Sequence, residues 1–216
     1  MHDHARHEQH GGAQTGSDAA SWDERYQGSP GVWSGRPNAQ LVAETAELPA
    51  GTALELGCGE GADALWLAGQ GWRVTGVDWS PTALARGAAH ADEAGVGDRV
   101  EWTAADLSDW TPPVAAFDLV SAHFLHPTAA ERPGLIARLT AATAPGGVLL
   151  WVGHGHTESR AAVWGADRFT SAAELVADLP PDAWDVDVAE ERTRAALGHE
   201  GDATTVVDVG VRARRR

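Results

Sequence analysis

The sequence predicts an α/β protein: a doubly wound, mostly parallel sheet with helices on both faces. Three observations carry that expectation. Strand-like apolar runs alternate with helical segments from Thr52 to Val152, the pattern of a parallel sheet covered on both sides. A glycine-rich turn, Gly57-Cys58-Gly59-Glu60-Gly61, stands between the first strand and its helix. Two runs alternating apolar with polar, Trp184 to Val188 and Thr205 to Val211, read as a closing hairpin joined by the polar stretch Glu191 to Asp202.

The elements follow in order. Residues 1–20 hold His2, His4, His7 and His10 among polar residues with nothing periodic to bury, and are expected to be a disordered tail ahead of a single domain over 21–216. Trp22 and Tyr26 fall four apart on a short helix, and Asn38 caps a second helix running to Leu48 before Pro49-Ala50-Gly51. Ala53–Leu56, Trp72–Val77, Val100–Ala104 and Phe117–Ala122 are strands, with helices at Ala62–Ala68 and from Pro81 to Glu93, the latter opened by Ser80-Pro81. Thr128 with Glu131 forms a capping box for a helix ending before Pro145, and Gly146-Gly147 leads into the strand Val148–Val152. Ser171 and Glu174 make a second box for a helix ended by Pro180-Pro181.

Composition excludes several functions. A formal charge of −15 argues against nucleic acid and anionic membrane as partners, since both are held by basic residues. Arg212, Arg214, Arg215 and Arg216 read as a solvated strand end. One cysteine forms no internal disulfide, no apolar run is long enough to span a membrane, and the first residues lack a signal-peptide centre, so a cytoplasmic monomer or homodimer is expected.

Chemistry concentrates at the glycine turn. Gly57, Gly59 and Ala62 satisfy a dinucleotide-binding spacing, with Asp78 at the distance of a ribose-binding acid. Glu55, two positions before the first glycine, would repel a pyrophosphate and welcome an ammonium group, which favours a zwitterionic amino acid. Asp106 ends the third strand, where a carboxylate accepts from an adenine amino group.

Together, Glu55 to Gly61, Asp78, Asp106, Phe117-Asp118-Leu119-Val120 and Pro145-Gly146-Gly147 resemble the class I S-adenosylmethionine-dependent methyltransferases. The resemblance implies a Rossmann-like sheet of seven strands with an antiparallel last strand, and S-adenosyl-L-methionine as cofactor. It assigns Glu55, Gly57 and Gly59 to the methionine portion, Asp78 to the ribose, Trp79 to the adenine face, and Asp106 with Leu107 to the adenine edge, with Cys58 in the cofactor-binding turn as a small packed residue. Trp22-Asp23-x-x-Tyr26, Trp33 and Pro37-Asn38 are similar to the N-terminal lid, here 21–50, of small bacterial tellurite-resistance and thiopurine methyltransferases, which makes Trp33 a cover over the sulfonium.

Methyl transfer needs alignment and exclusion of water more than a dedicated base. His123 and His126 after the fourth strand are the candidate catalytic residues, as proton acceptor or substrate contact, with His154 and His156 expected nearby after the fifth. No metal is assigned. The acceptor is expected to be a small molecule such as a thiol, a heterocycle or a metalloid oxyanion. Two alternatives stay open: a binding module that keeps the cofactor as a ligand, and a nicotinamide-dependent oxidoreductase, disfavoured because the chain has one Tyr and no Lys.

Overall fold

The structure, a computed structural model, describes residues 19–156, 165–197 and 203–216. The four tail histidines, Arg160 and Trp164 of the segment after the fifth strand, and His199-Glu200 lie outside the described residues. Helix α1 spans Ala19–Gln27, starting two residues inside the expected tail, and α2 spans Ala39–Thr45. The alternating unit follows: β1 (Thr52–Leu56), α3 (Ala62–Gly69), β2 (Arg73–Asp78), α4 (Pro81–Glu93), β3 (Val100–Ala104), β4 (Phe117–His123), α5 (Arg132–Ala142) and β5 (Thr143–His154). Helix α6 (Ala172–Ala177) and the hairpin β6 (Trp184–Leu197) and β7 (Ala203–Arg215) complete the chain.

The strands form one sheet in the order β3-β2-β1-β4-β5-β7-β6, with β7 antiparallel to both neighbours. Strand periodicity divides the core between its two faces. Leu54, Leu56, Val120 and Ala122 pack with Leu135, Ile136 and Leu175 of α5 and α6. Ala53, Val74, Leu119 and Leu150 pack with Leu41 of α2 and Leu67 of α3. The strand order reverses between β1 and β4, so a crevice opens beyond the carboxyl ends of these strands, where α/β sheets bind ligands. No helix among the described residues is long and apolar enough to cross a membrane.

Caps locate several boundaries. The Asn38 side chain accepts from Gln40 N at 2.8 Å, Ser80 Oγ accepts from Ala83 N at 3.0 Å, and Ser171 and Glu174 form the expected reciprocal box. Other boundaries moved. Helix α2 stops at Thr45, whose hydroxyl donates back to Leu41 O at 2.7 Å, and Leu48 falls in the following turn. The Thr128–Glu131 bonds do form, but in the turn before α5, which begins at Arg132 with Pro133 in its first turn. Strand β5 begins at Thr143 instead of Val148: Pro145-Gly146-Gly147 is a bulge within it, with Gly146 at φ +79°. The stretch expected to be a polar loop from Glu191 is largely strand, because β6 pairs with β7 as far as Leu197 and its Arg192 reaches Glu44 of α2 at 2.7 Å. The terminal arginines are anchored to the protein: Arg214 donates to Gly146 O at 2.9 Å and Arg216 pairs with Asp185 at 2.7 Å.

Candidate active site

The turn after β1 requires its glycines. Gly57, Gly59 and Gly61 sit at φ +73°, +52° and +87°, in the left-handed region that costs other residues about 1–2 kcal/mol. A Cβ on Gly57 would lie 2.5 Å from Leu125 Cδ2, and one on Gly59 2.8 Å from the Tyr26 hydroxyl. Four of the loop's five amide donors are spent inside the protein. Gly57 N and Cys58 N both donate to Val77 O (2.8 and 3.1 Å), Gly59 N to Asp78 Oδ2 (2.8 Å) and Gly61 N to Cys58 O (2.9 Å). Glu55, Glu60 and Asp78, in or beside the turn, are all buried. Gly57, Cys58, Gly59 and Gly61 thus offer a pyrophosphate no unpaired N–H group and the Asp78 carboxylate beside them repels it, whereas an amino acid ammonium and neutral ribose hydroxyls match this set.

Asp78 closes β2 with its carboxylate bridging Gly59 N and Ser80 N, at 2.8 and 2.9 Å. Burial raises its pKa, against the hydrogen bonds from Ser80 and Gly59. Trp79 is half-buried against the core and its indole N–H has no partner. Asp106 is exposed just beyond β3, held as a carboxylate by Ser108, with its pKa below the ordinary value. Leu107 is buried and comes within 4.0 Å of a Cβ built on Gly57. The Cys58 thiol is turned away from the crevice against Gly76, and burial pushes its pKa well up, so it is a packed side chain rather than a nucleophile.

The N-terminal segment lies over this turn. Trp33 Nε1 donates to the Tyr26 hydroxyl at 2.8 Å, and both groups stand against Gly59. Glu60 pins the segment by accepting from Val32 N and Trp33 N (3.1 and 3.2 Å) while pairing with Arg86 at 2.8 Å. The Arg25 guanidinium sits 5.0 and 5.4 Å from the rings of Trp22 and Trp33. Burial raises the pKa of the Tyr26 phenol, helped by the charge of Asp78.

The strand-end histidines divide into two groups. His123 bonds to Asp63, in the first turn of α3, through Nδ1 at 2.8 Å, and Glu55 Oε1 is 3.8 Å from the same nitrogen. The Ser121 hydroxyl donates to the other Glu55 oxygen. Burial pushes Glu55 up to about 8, against the pull of His123. Burial alone would lower the His123 pKa, but Glu55 and Asp63 outweigh it and the net direction is upward, which weakens the ring as a base at neutral pH. Its Nε2 is buried without a partner. His126 and His154 form the second group, stacked at 5.4 Å, with Phe169 6.1 Å from His126 and His156 6.3 Å from Phe169. His154 Nδ1 meets Asp208 at 3.2 Å. Phe124, between the groups, is held at φ +52°, a strained conformation for a bulky residue and one that redirects the chain after β4.

Sequence reasoning missed Asp63, because its partner lies 60 residues away in β4 and no local pattern marks the pair. Glu55, Asp63 and His123 are also the described residues whose donor atoms come within 4.8 Å of one another in the manner of a metal site, though Asp63 is bonded to His123 and Glu55 to Ser121. His154-Gly155-His156 belongs to no such group among the described residues.

Residues 53–147 match a family described as a methyltransferase domain. A trans-aconitate 2-methyltransferase of Streptomyces avermitilis is 37% identical over 147 residues, covering 64% of this chain and 53% of the relative. A second, from Delftia acidovorans, is 38% identical over 118 residues, covering 53% of this chain and 42% of its own length. The chain thus spans about half the length of the curated relatives it matches. Among solved structures, one from work on the conversion of a disulfide bond into a thioacetal group during echinomycin biosynthesis aligns with a TM-score of 0.74 at 28% identity, over 91% of this chain and 92% of the other. TehB from Haemophilus influenzae shares the fold, with a TM-score of 0.70 at 17% identity over 83% of this chain and 62% of its own.

Proposed function

We propose that this chain, which has the class I S-adenosylmethionine-dependent methyltransferase fold with its methyltransferase domain at residues 53–147, transfers a methyl group from S-adenosylmethionine to a small molecule. One observation carries the reading. Four of the five amide donors of the glycine turn are spent and the buried Glu60 and Asp78 side chains flank it, which suits a zwitterionic amino acid with a ribose and opposes a dinucleotide pyrophosphate.

In this reading Gly57 and Gly59 give the methionine portion close access to the backbone, Asp78 accepts from the ribose hydroxyls, and Trp79 offers its face to adenine. Asp106 and the backbone of Leu107 serve the adenine edge. Glu55 acts from behind the turn, since its carboxyl is bonded to Ser121 and lies beside His123. Trp33 and Tyr26 cover the turn and exclude water, and Arg25, held over Trp22 and Trp33, supplies the cation for the methionine carboxylate. When bound, the cofactor supplies an activated methyl group on a sulfonium leaving group. The protein then has to bind, align and desolvate the acceptor. His126, on the wall of the cleft beyond β4 and β5, contacts that acceptor, while His123 ties β4 to α3 through Asp63 and positions the turn.

The Streptomyces avermitilis relative is named for trans-aconitate, and the echinomycin structure for sulfur chemistry. Both fit a small-molecule acceptor. The test is turnover: purified protein is incubated with methyl-labelled S-adenosylmethionine and a panel of thiols, heterocycles, metalloid oxyanions and organic acids, and S-adenosylhomocysteine is measured. Formation that depends on one acceptor class supports the proposal. Cofactor binding with no turnover across the panel would favour a binding module.

A further inference from the structure

We propose that the narrow cleft beyond the ends of β4 and β5 is a carboxylate-binding site that seats an acid group of the methyl acceptor, an inference that rests on reading the chain as a small-molecule methyltransferase. Its wall includes Leu125, His126, Arg132, Trp151, Arg168 and Thr170.

The cleft holds an unused donor. Trp151 is 2% exposed and its indole N–H has no acceptor. A buried donor left unpaired costs about 1–3 kcal/mol, so such groups are rare unless something else completes them. Residue 153 also lines the cleft and is glycine; a Cβ there would lie 3.1 Å from Trp151 Nε1. The missing side chain leaves room beside the N–H for one acceptor atom of a ligand.

In a chain with 31 acidic residues against 16 basic ones, none of the described residues lining this cleft is Asp or Glu. Guanidinium groups, imidazoles, a hydroxyl that already donates to Ser171 O and an unpaired indole N–H line it instead. The carboxylates that pair with its basic side chains lie outside the lining: Asp178 holds Arg132 Nε at 2.7 Å and Asp208 meets His154 Nδ1 at 3.2 Å. Arg168 is oriented by its bond to His126 O at 2.8 Å. Guanidinium groups held by their neighbours, on a wall that also carries an unsatisfied N–H, suit a planar anion with two acceptor oxygens.

Leu125 lines the cleft and also stands within 2.5 Å of where a Cβ on Gly57 would be. One side chain therefore separates the cleft from the glycine turn, which places a seated acid group at the acceptor side of the cofactor.

The experiment is a titration of uniformly ¹⁵N-labelled protein, with S-adenosylhomocysteine present, by benzoate and by propane-1,2,3-tricarboxylate. The Trp151 indole signal is assigned by Trp151→Phe. The expected result is a saturable shift of that signal with a carboxylate, no shift with benzamide, and an apparent Kd at least tenfold higher in Arg168→Gln, whose folding is checked by the rest of its spectrum. An unmoved indole signal, equal response to benzamide, or unchanged affinity in Arg168→Gln would overturn the proposal. Inorganic phosphate binding as tightly as the carboxylates would overturn it too. Calorimetry of S-adenosylhomocysteine on the same sample keeps the two readings apart: its binding without carboxylate binding sinks only this inference, and the reverse sinks the cofactor assignment.

Discussion

Glu55→Gln should change how the stability of the fold depends on pH. The Glu55 side chain is 2% exposed, with Ser121 and His123 as its polar neighbours, and burial holds its carboxyl at about 8 against an ordinary value of 4.5. Unfolding therefore releases a proton between those values, so the folded state is favoured at low pH and loses that advantage as pH rises through about 8. His123 acts in the same direction: its pKa is raised in the fold, so its contribution is complete below its unfolded value and declines as pH rises through the folded one. At about 1.4 kcal/mol per pH unit, the Glu55 displacement is worth about 5 kcal/mol when fully expressed. For a chain of this size that amounts to roughly 10–20 °C in Tm. Thermal denaturation at pH 5, 7 and 9 should show the wild type weakening steadily. Glu55→Gln keeps an acceptor for Ser121 without a charge, so it should follow a flatter curve and be the more stable form at pH 9. Parallel curves for the two proteins would refute the burial argument.

Asp78→Asn should raise the Kd for S-adenosylmethionine at least tenfold by calorimetry, because a charged acceptor that also orders Gly59 and Ser80 is lost, while circular dichroism stays native. Gly59→Ala should lower Tm by several degrees and weaken cofactor binding, since it adds left-handed strain of about 1–2 kcal/mol and drives a methyl into the Tyr26 hydroxyl. Trp33→Ala, at a residue 39% exposed, should leave Tm within about 2 °C yet speed cofactor release in stopped-flow measurements. Arg25→Gln should weaken S-adenosylmethionine far more than its decarboxylated analogue, and equal loss for both would remove Arg25 from the carboxylate role.

Local patterns made most of the sheet legible. Ser80-Pro81, Asn38 and the Ser171–Glu174 box fixed helix starts because each cap is built from neighbours in sequence. Asp78 was readable as an acid at the end of β2 because the strand pattern stops there, at the crevice end of the sheet. What escaped depended on distant partners. The start of β5 at Thr143 follows from pairing with Phe117, which overrides the punctuation of Pro145-Gly146-Gly147. The polar residues of β6 become strand through the ladder with β7. Asp63 and the inward turn of Glu55 emerge only when α3 and β4 meet. The split between His123 and the His126–His154 stack depends on the φ of Phe124, which no composition signal records.

The central claim is that the glycine turn holds S-adenosylmethionine and not a dinucleotide. Isothermal calorimetry with S-adenosylmethionine and S-adenosylhomocysteine, alongside NADH and NADPH, tests it most directly. The account predicts saturable one-to-one binding of the first pair and none of the second. Binding of a nicotinamide dinucleotide in their place would contradict it, because the amides of Gly57, Cys58 and Gly59 are already committed to Val77 and Asp78, and the Asp78 carboxylate stands beside them.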